Sequence, residues 1–283
     1  MMCRLLDVSK SAYYEWRRSD CTDKRRADNR DALKRAVFDQ WDGSKGRMGG
    51  WSIWERLKSK GMKITLWLVR TLMHELGICG ITPKNKVTTT TQDPGAPSCK
   101  DLIRRDFTSP VPTIKLTGDI TYLRLNATTT LYLAVVIDLC TRMVIGWKLA
   151  DNMRAELVVD ALKKAWHAGM VAIGAIFHSD KGSQYTSRLF GSFAETISVR
   201  LSQGRKATCF DNAVSESFFA TLKKEWFYRE SFSSREELEH SLAHYIEIYY
   251  NCQRPHSTLD GNTPSEEYGL HFRYWKDTMG MAA

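Results

Sequence analysis

The chain has 283 residues, 43% apolar and 26% charged, ordinary globular values that exclude disordered, collagen-like and coiled-coil compositions and allow one large domain or two modest ones. Its net charge is +9, and the excess is N-terminal: residues 1–100 carry 20 basic and 11 acidic side chains, whereas residues 101–283 carry 21 of each. A basic first third suits a polyanion and the neutral remainder does not, although a solvated basic surface accounts for the same counts.

Taken in chain order, LLDVSKSAYYEW places Leu5, Leu6 and Val8 before Ser9, a helix-capping residue. It reads as the close of a motif whose first helix would precede Met1. Apolar periodicity predicts helices over Asn29–Trp41, Trp51–Lys60 and Thr65–Leu76, punctuated by Gly61 and Gly77. Within WSIWERLKSKGMKITLWLVRTLMHELG, two short amphipathic helices flank a turn at Gly61 and Thr65 caps the second, the sequence form of a helix-turn-helix. Residues 1–83 are assigned on this basis as a helical DNA-binding region, while a small three-helix domain without a DNA role fits the segment taken alone. Gly49 and Gly50 weaken a helix start there.

Residues 84–113, rich in Thr, Ser, Pro and Gly, read as a linker. Three closely spaced strands follow, Ile114–Leu125, Leu131–Leu139 and Arg142–Leu149, which must be antiparallel neighbours. A helix over Ala155–His167, a strand over 175–180, a helix over Ser187–Ile197 and a strand over Val199–Ser202 add parallel pairs. The expected fold is therefore α/β, a mixed five-stranded sheet with flanking helices. Asp211 to Tyr250 is expected to be helical. The core is drawn over 114–270 and a tail over 271–283.

The seven cysteines are odd in number and form no CxxC pair, so they read as reduced thiols of a cytoplasmic protein. His240 and His244 stand i, i+4 on a helix, but no cysteine pair completes a zinc site. The longest apolar run, Leu131–Ile137, is far short of the ~20 residues that span a bilayer, and no signal-peptide pattern is present, so no membrane role is expected.

Three carboxylates fall where this architecture would let them meet: Asp119 in the first strand, Asp180 at the end of the fourth, and Glu216 in the first turns of a helix. An ionised acid inside an apolar strand, as at Asp119, is costly unless a partner or metal neutralises it. Asp138 and Asp211 are acids with structural explanations, a strand-end turn and a helix cap. An all-oxygen ligand set suits Mg²⁺, with Mn²⁺ as substitute, and two such ions ~4 Å apart could serve phosphodiester hydrolysis or transfer.

The blocks GDITYL, LYLAVVIDLCTRMVIGW, HSDKGSQY, DNAVSESFFATLKKE and YYNCQRPHSTLDGNTP, in that order, closely resemble the integrase-like catalytic domain of bacterial insertion-sequence transposases made from two overlapping reading frames. The opening MCRLLDVSKSAYYEW resembles the start of the second-frame product. The resemblance covers nearly the whole chain. It implies a ribonuclease-H-like fold carrying a DDE triad with 35 residues between its second and third acids, the spacing of Asp180 and Glu216. It further implies metal-dependent DNA strand cleavage and strand transfer without a covalent protein–DNA intermediate. The implied partners are double-stranded DNA at element ends and target, the upstream-frame product as a fusion, and further copies of the chain on DNA at the nucleoid.

Six further residues are candidate DNA contacts: Lys223 and Lys224, two turns beyond Glu216; Gln184 and Tyr185, just after Asp180; and Arg254 and His256 around Pro255. His178, two residues before Asp180, is a candidate of the same kind as Gln184 and Tyr185, and for all three a packed or hydrogen-bonded role fits equally well. For Asn251, Arg254, Pro255 and His256 a clamp fixing the last helix is the preferred reading. The stretch GRMGGWSIWERL departs from the Tyr- and Arg-rich opening usual in the family. Two other functions remain open from sequence, a non-catalytic DNA-binding regulator or element remnant, and a ribonuclease-H-type hydrolase.

Overall fold

The computed structural model describes residues 9–81, 99–204 and 212–279, with side chains left out for 18–27 and 274–279. The chain forms two compact units, Met1–Thr82 and Pro83–Ala283.

In the first unit, helix α1 spans Lys10–Gly43, and the Ser9 hydroxyl accepts from the Ala12 N–H at its start. It begins well before the expected Asn29. No Gly or Pro interrupts residues 10–42, and Lys, Arg, Ala and Glu favour helix, but the early turns have no apolar stripe to announce them. Helix α2 (Gly50–Ser59) buries Ile53 and Leu57, and α3 (Leu66–Glu75) buries Val69, Leu72 and Met73. Thr65 caps α3 as its sequence implies, accepting from the Leu68 N–H. Gly61 and Gly77 take positive φ after the two helices, a conformation that costs glycine nothing. The Trp54 indole donates to the Ile64 carbonyl at 2.9 Å and fixes the connecting turn.

The second unit is built on a five-stranded sheet ordered β3-β2-β1-β4-β5, from β1 (Lys115–Arg124), β2 (Thr130–Asp138), β3 (Val144–Ala150), β4 (Ile176–Ser179) and β5 (Arg200–Gln203). β1, β2 and β3 pair antiparallel, while β4 pairs parallel with β1 and with β5, so the expected mixed sheet is present. Alternate residues of β1 serve two purposes. Leu116 joins the core beneath α4 (Ala155–His167) and α5 (Arg188–Thr196), with Ala134, Val136, Leu162, Phe177 and Phe190. Thr117, on the other face, bonds to Asn212 at the start of α6 (Ala213–Glu225).

Two glycines set the closest approaches in this unit. A Cβ on Gly146 would lie 2.3 Å from the Ala161 carbonyl oxygen, so α4 rests directly on β3. A Cβ on Gly118 would lie 2.2 Å from Phe177 Cζ, so the Phe177 ring occupies the space beside Asp119's neighbour.

The expected continuous helix over 211–250 is broken. α6 ends at Glu225, a short 3₁₀ turn covers Phe227–Arg229, and α7 (Arg235–Ala243) starts again behind a Ser234 cap and continues as a π-helix over His244–Tyr250. Burial of Trp226, stacked on Tyr245 at 5.7 Å, accounts for the break better than any turn signal. The last helix, α8 (Pro264–Met279), runs through the position where the tail was drawn. Residues 99–113 carry no helix or strand, yet they are strapped to the second unit. Cys99 and Leu102 N–H groups donate to Gln203 and Ser202 of β5, and the Thr113 N–H to Asp138. Asp211 lies outside the described residues, and Asn212 holds the capping position.

Candidate active site

β1 and β4 are parallel neighbours, and this brings their acids to the same end of the sheet. Asp119 lies opposite Val135 of β2, and Asp180 directly follows Ser179, the last residue of β4. Glu216 lies in the first turn of α6, its N–H donating to the Asn212 carbonyl at 3.0 Å. The third acid is tied to the first through their neighbours, because Thr117 Oγ1 donates to Asn212 Oδ1 at 2.9 Å. Thr117 precedes Asp119 by two residues along a strand and Asn212 precedes Glu216 by four along a helix. Both spacings keep a face, so this bond runs beside the acidic pair.

The electrostatics tie the three acids together. Burial holds the Asp119 carboxyl well above the usual carboxylate range, and the charges of Asp180 and then Glu216 push the same way. Only the Ile120 N–H, donating to Asp119 Oδ1 at 2.8 Å, works in the opposite direction. Burial also raises Asp180, offset in part by the Gly182 N–H at 3.0 Å. A Cβ on Gly182 would sit 3.0 Å from that same carboxylate oxygen, so the residue after Lys181 has little room for a side chain. The three acids act on one another at Asp119, but among the described residues no three His, Cys, Asp or Glu side chains are gathered closely enough to hold a metal ion.

The remaining candidates divide. Lys223 Nζ stands 4.3 Å from the centre of the Tyr122 ring on β1, and partial burial lowers its pKa, so it faces the strand that carries Asp119. Lys224 is half-buried in the last turn of α6. Gln184 Nε2 donates to the Met153 carbonyl at 2.8 Å and braces the loop after Asp180. Tyr185, expected to position DNA, is instead 3% exposed, with its ring packed against Phe177 and Phe190. Its hydroxyl is pushed far up by burial and then by the charges of Asp119 and Asp180, so the side chain is a buried part of the core.

His178 is buried, with Nδ1 2.9 Å from Ser202 Oγ and its ring edge-on to Phe107, a packing role. Arg254 forms the clamp rather than a free phosphate ligand, with Nε 3.0 Å and Nη2 2.9 Å from the Glu225 carboxylate. His256 accepts from the Thr258 N–H through Nδ1, and burial followed by the Arg254 charge lowers its pKa to about 4. Asp138 is a buried acceptor for Thr141 and Thr113, a structural acid as its turn position implied. Thr117, Asn212 and Gly182 also shape the site, and their two-residue and four-residue offsets from the acids are the signals that the sequence offers for them.

A mixed five-stranded sheet in this order with flanking helices is the ribonuclease-H-like architecture of integrase-like cores. Two family models described as "Integrase core domain" match residues 110–209 and 197–264. The chain is 34% identical over 269 residues, 94% of its length and 92% of the relative's, to transposase InsF for insertion sequence IS3A of Escherichia coli (strain K12). It is 34% identical over 232 residues, 82% of its length and 90% of the relative's, to the transposase for insertion sequence element IS904 of Lactococcus lactis subsp. lactis (strain IL1403). Among solved structures, the HTLV-2 integrase catalytic core domain in complex with magnesium aligns with a TM-score of 0.44 and 14% identity, covering 56% of this chain and 98% of that one. The chain belongs to the insertion-sequence transposases with an integrase core, and its function is DNA transposition.

Proposed function

We propose that Asp119, Asp180 and Glu216 form the metal-binding DDE triad of this transposase, and that the chain cleaves and joins DNA strands at the ends of its element. One observation carries the proposal: the parallel pairing of β1 with β4 brings Asp119 and Asp180 to the same end of the sheet, where burial and the charges of Asp180 and Glu216 disfavour the Asp119 anion. The natural counter-charge for such a group is a cation.

In kind the donor set suits Mg²⁺ or Mn²⁺, since all three side chains offer carboxylate oxygens and neither His nor Cys is included. The three must draw closer than they stand here to share an ion. When bound, such ions supply Lewis-acid stabilisation of the attacking and leaving oxygens of a phosphodiester displacement. The protein's own part is positional. Asp119 and Asp180 are held on adjacent strands, the Gly182 N–H orients Asp180, and the Thr117–Asn212 bond sets where α6 begins and so where Glu216 stands. Lys223, facing β1, is suited to a DNA phosphate beside the triad, with Lys224 next to it. Tyr185 is buried and supplies no nucleophile, and the proposed attacking groups are water and a DNA 3′ hydroxyl. Because Asp119 must be ionised to bind a cation, metal affinity is expected to weaken as pH falls. Fusion to the upstream-frame product and assembly of several copies on nucleoid DNA complete the proposed working form.

The test is cleavage and joining of labelled element-end DNA by the chain fused to its upstream frame, with Mg²⁺ or Mn²⁺. Asp119→Asn, Asp180→Asn and Glu216→Gln should each reduce both reactions by several orders of magnitude with end binding retained. Activity surviving all three would remove the triad assignment. A wild-type fusion that binds ends and cuts nothing with either metal would make the chain a regulator.

A further inference from the structure

The first unit presents a surface that the triad does not use. α3 buries Val69, Leu72 and Met73 and turns Trp67, Arg70 and His74 outward, three positions that line one face of a helix. Trp67 is 74% exposed, a large indole left in water. Arg70 is not a loose surface residue. A Cβ on Gly50 would come within 3.0 Å of Arg70 Cγ, so the glycine that weakens the start of α2 makes room there for the arginine stem.

Residues 50–75 carry five Lys and Arg against two acids. The two acids between residues 50 and 75 are already paired, Glu55 with Lys58 at 3.7 Å and Glu75 with Lys34 at 3.0 Å and with Arg30. Lys60, Lys63 and Arg70 remain exposed around them. The turn between α2 and α3 is fixed by the Trp54–Ile64 bond, so α3 is presented in one orientation relative to α2.

We propose that α3 is the DNA-reading helix of this chain and lies in a major groove, which is wide enough to admit it. In this arrangement Arg70 donates its fork to a guanine edge, Trp67 packs on a thymine methyl or sugar, and His74 and Lys63 meet flanking phosphates. The proposal rests on the assignment of residues 1–83 to DNA binding and names the residues that would confer preference for one sequence. Duplex DNA is favoured over a protein partner because the exposed stripe joins a guanidinium and an imidazole to basic flanks, the complement of a polyanion.

The full chain is titrated, without divalent metal and at one fixed salt concentration, on a labelled duplex carrying the element's terminal repeat and on a scrambled duplex of equal composition. Arg70→Ala is expected to lower affinity for the repeat about tenfold or more and to move the scrambled affinity far less. Trp67→Ala should shift the ratio the same way, Arg70→Lys should not restore it, and Lys63→Ala should weaken both duplexes alike. These positions are exposed, and circular dichroism with thermal melting checks that each variant is folded.

An unchanged ratio in Arg70→Ala and Trp67→Ala overturns the proposal, as does an equal loss on both duplexes, which would mark phosphate contact alone. Lost binding to the upstream-frame product with DNA binding intact would assign the face to protein and overturn it too. A wild-type chain that binds both duplexes equally removes the reading role only, whereas one that binds neither removes the DNA assignment of residues 1–83 as well. The triad is tested separately, by the cleavage and joining of element-end DNA, so failure of the reading helix and failure of the triad are distinguishable.

Discussion

Asp119 is stable in this fold only at a cost, and the sign of that cost can be measured. Its raised carboxyl means that the folded chain keeps a proton that the unfolded chain releases. Its contribution to stability is therefore complete below the ordinary carboxylate range and is lost as pH rises through the raised value. Asp119→Asn removes that loss. At about pH 7.5 the metal-free variant is expected to melt a few degrees above the wild type, since about 1 kcal/mol corresponds to roughly 2–4 °C in a chain of this size. Mg²⁺ should raise the wild-type melting temperature and leave the variant nearly unmoved. A variant that melts lower, or that responds to Mg²⁺ as the wild type does, would argue against uncompensated charge at this site. Gly118 sits beside it under a different constraint. Gly118→Ala puts a methyl 2.2 Å from Phe177 Cζ and should destabilise the protein by about 1–3 kcal/mol, measured by denaturant unfolding.

At the scale of elements, α6 links the site to the clamp. Glu216 stands in its first turn and Glu225 in its last, and Glu225 receives the Arg254 guanidinium from the chain just beyond the π-helix. Glu225 is 8% exposed, so removing its partner leaves a carboxylate that water barely reaches. Arg254→Ala is expected to cost about 2–4 kcal/mol of stability, somewhat below a fully buried pair, with DNA affinity unchanged in variants that remain folded. A loss of affinity without a loss of stability would return Arg254 to the phosphate role. The π-helix turns Tyr245, Tyr249 and Tyr250 inward, and the Tyr245 ring stacks on Trp226 at the break after α6. The position of α6, and hence of Glu216, is therefore held from both ends, by Thr117–Asn212 and by Glu225–Arg254.

Across the whole molecule, charge and chemistry are separated along the chain. The basic excess belongs to residues 1–100, while the acids proposed for chemistry lie in a part of the chain with no net charge. DNA affinity should therefore be dominated by counterion release at the first unit. It is expected to fall by a decade or more between about 50 and 200 mM salt, with a slope of log affinity against log salt that the triad substitutions leave unchanged. A slope that changes with Asp119→Asn would mean that the catalytic unit carries a large share of the phosphate contacts. Among the described residues no helix is long and apolar enough to cross a membrane.

The order of the five strands and of helices α2 to α5, the caps at Ser9 and Thr65, and the three candidate acids were legible in the residues because each depends on local chemistry: period, turn propensity, or a carboxylate where an apolar strand should continue. The length of α1 was not legible, since its early turns have no core to face. The break after Glu225 arises from burial of Trp226 against Tyr245, a contact between distant residues. The clamp at Arg254 was legible from the helix break at Pro255, but its partner Glu225 was not. Gln184 and Tyr185 were separated into a loop brace and a core residue only by packing, because what a polar side chain does depends on which partner the fold brings within hydrogen-bond reach. The acids themselves were named by sequence, but their mutual electrostatic strain exists only where β1, β4 and α6 converge. Desolvation and like-charge repulsion are properties of that meeting and of no segment alone.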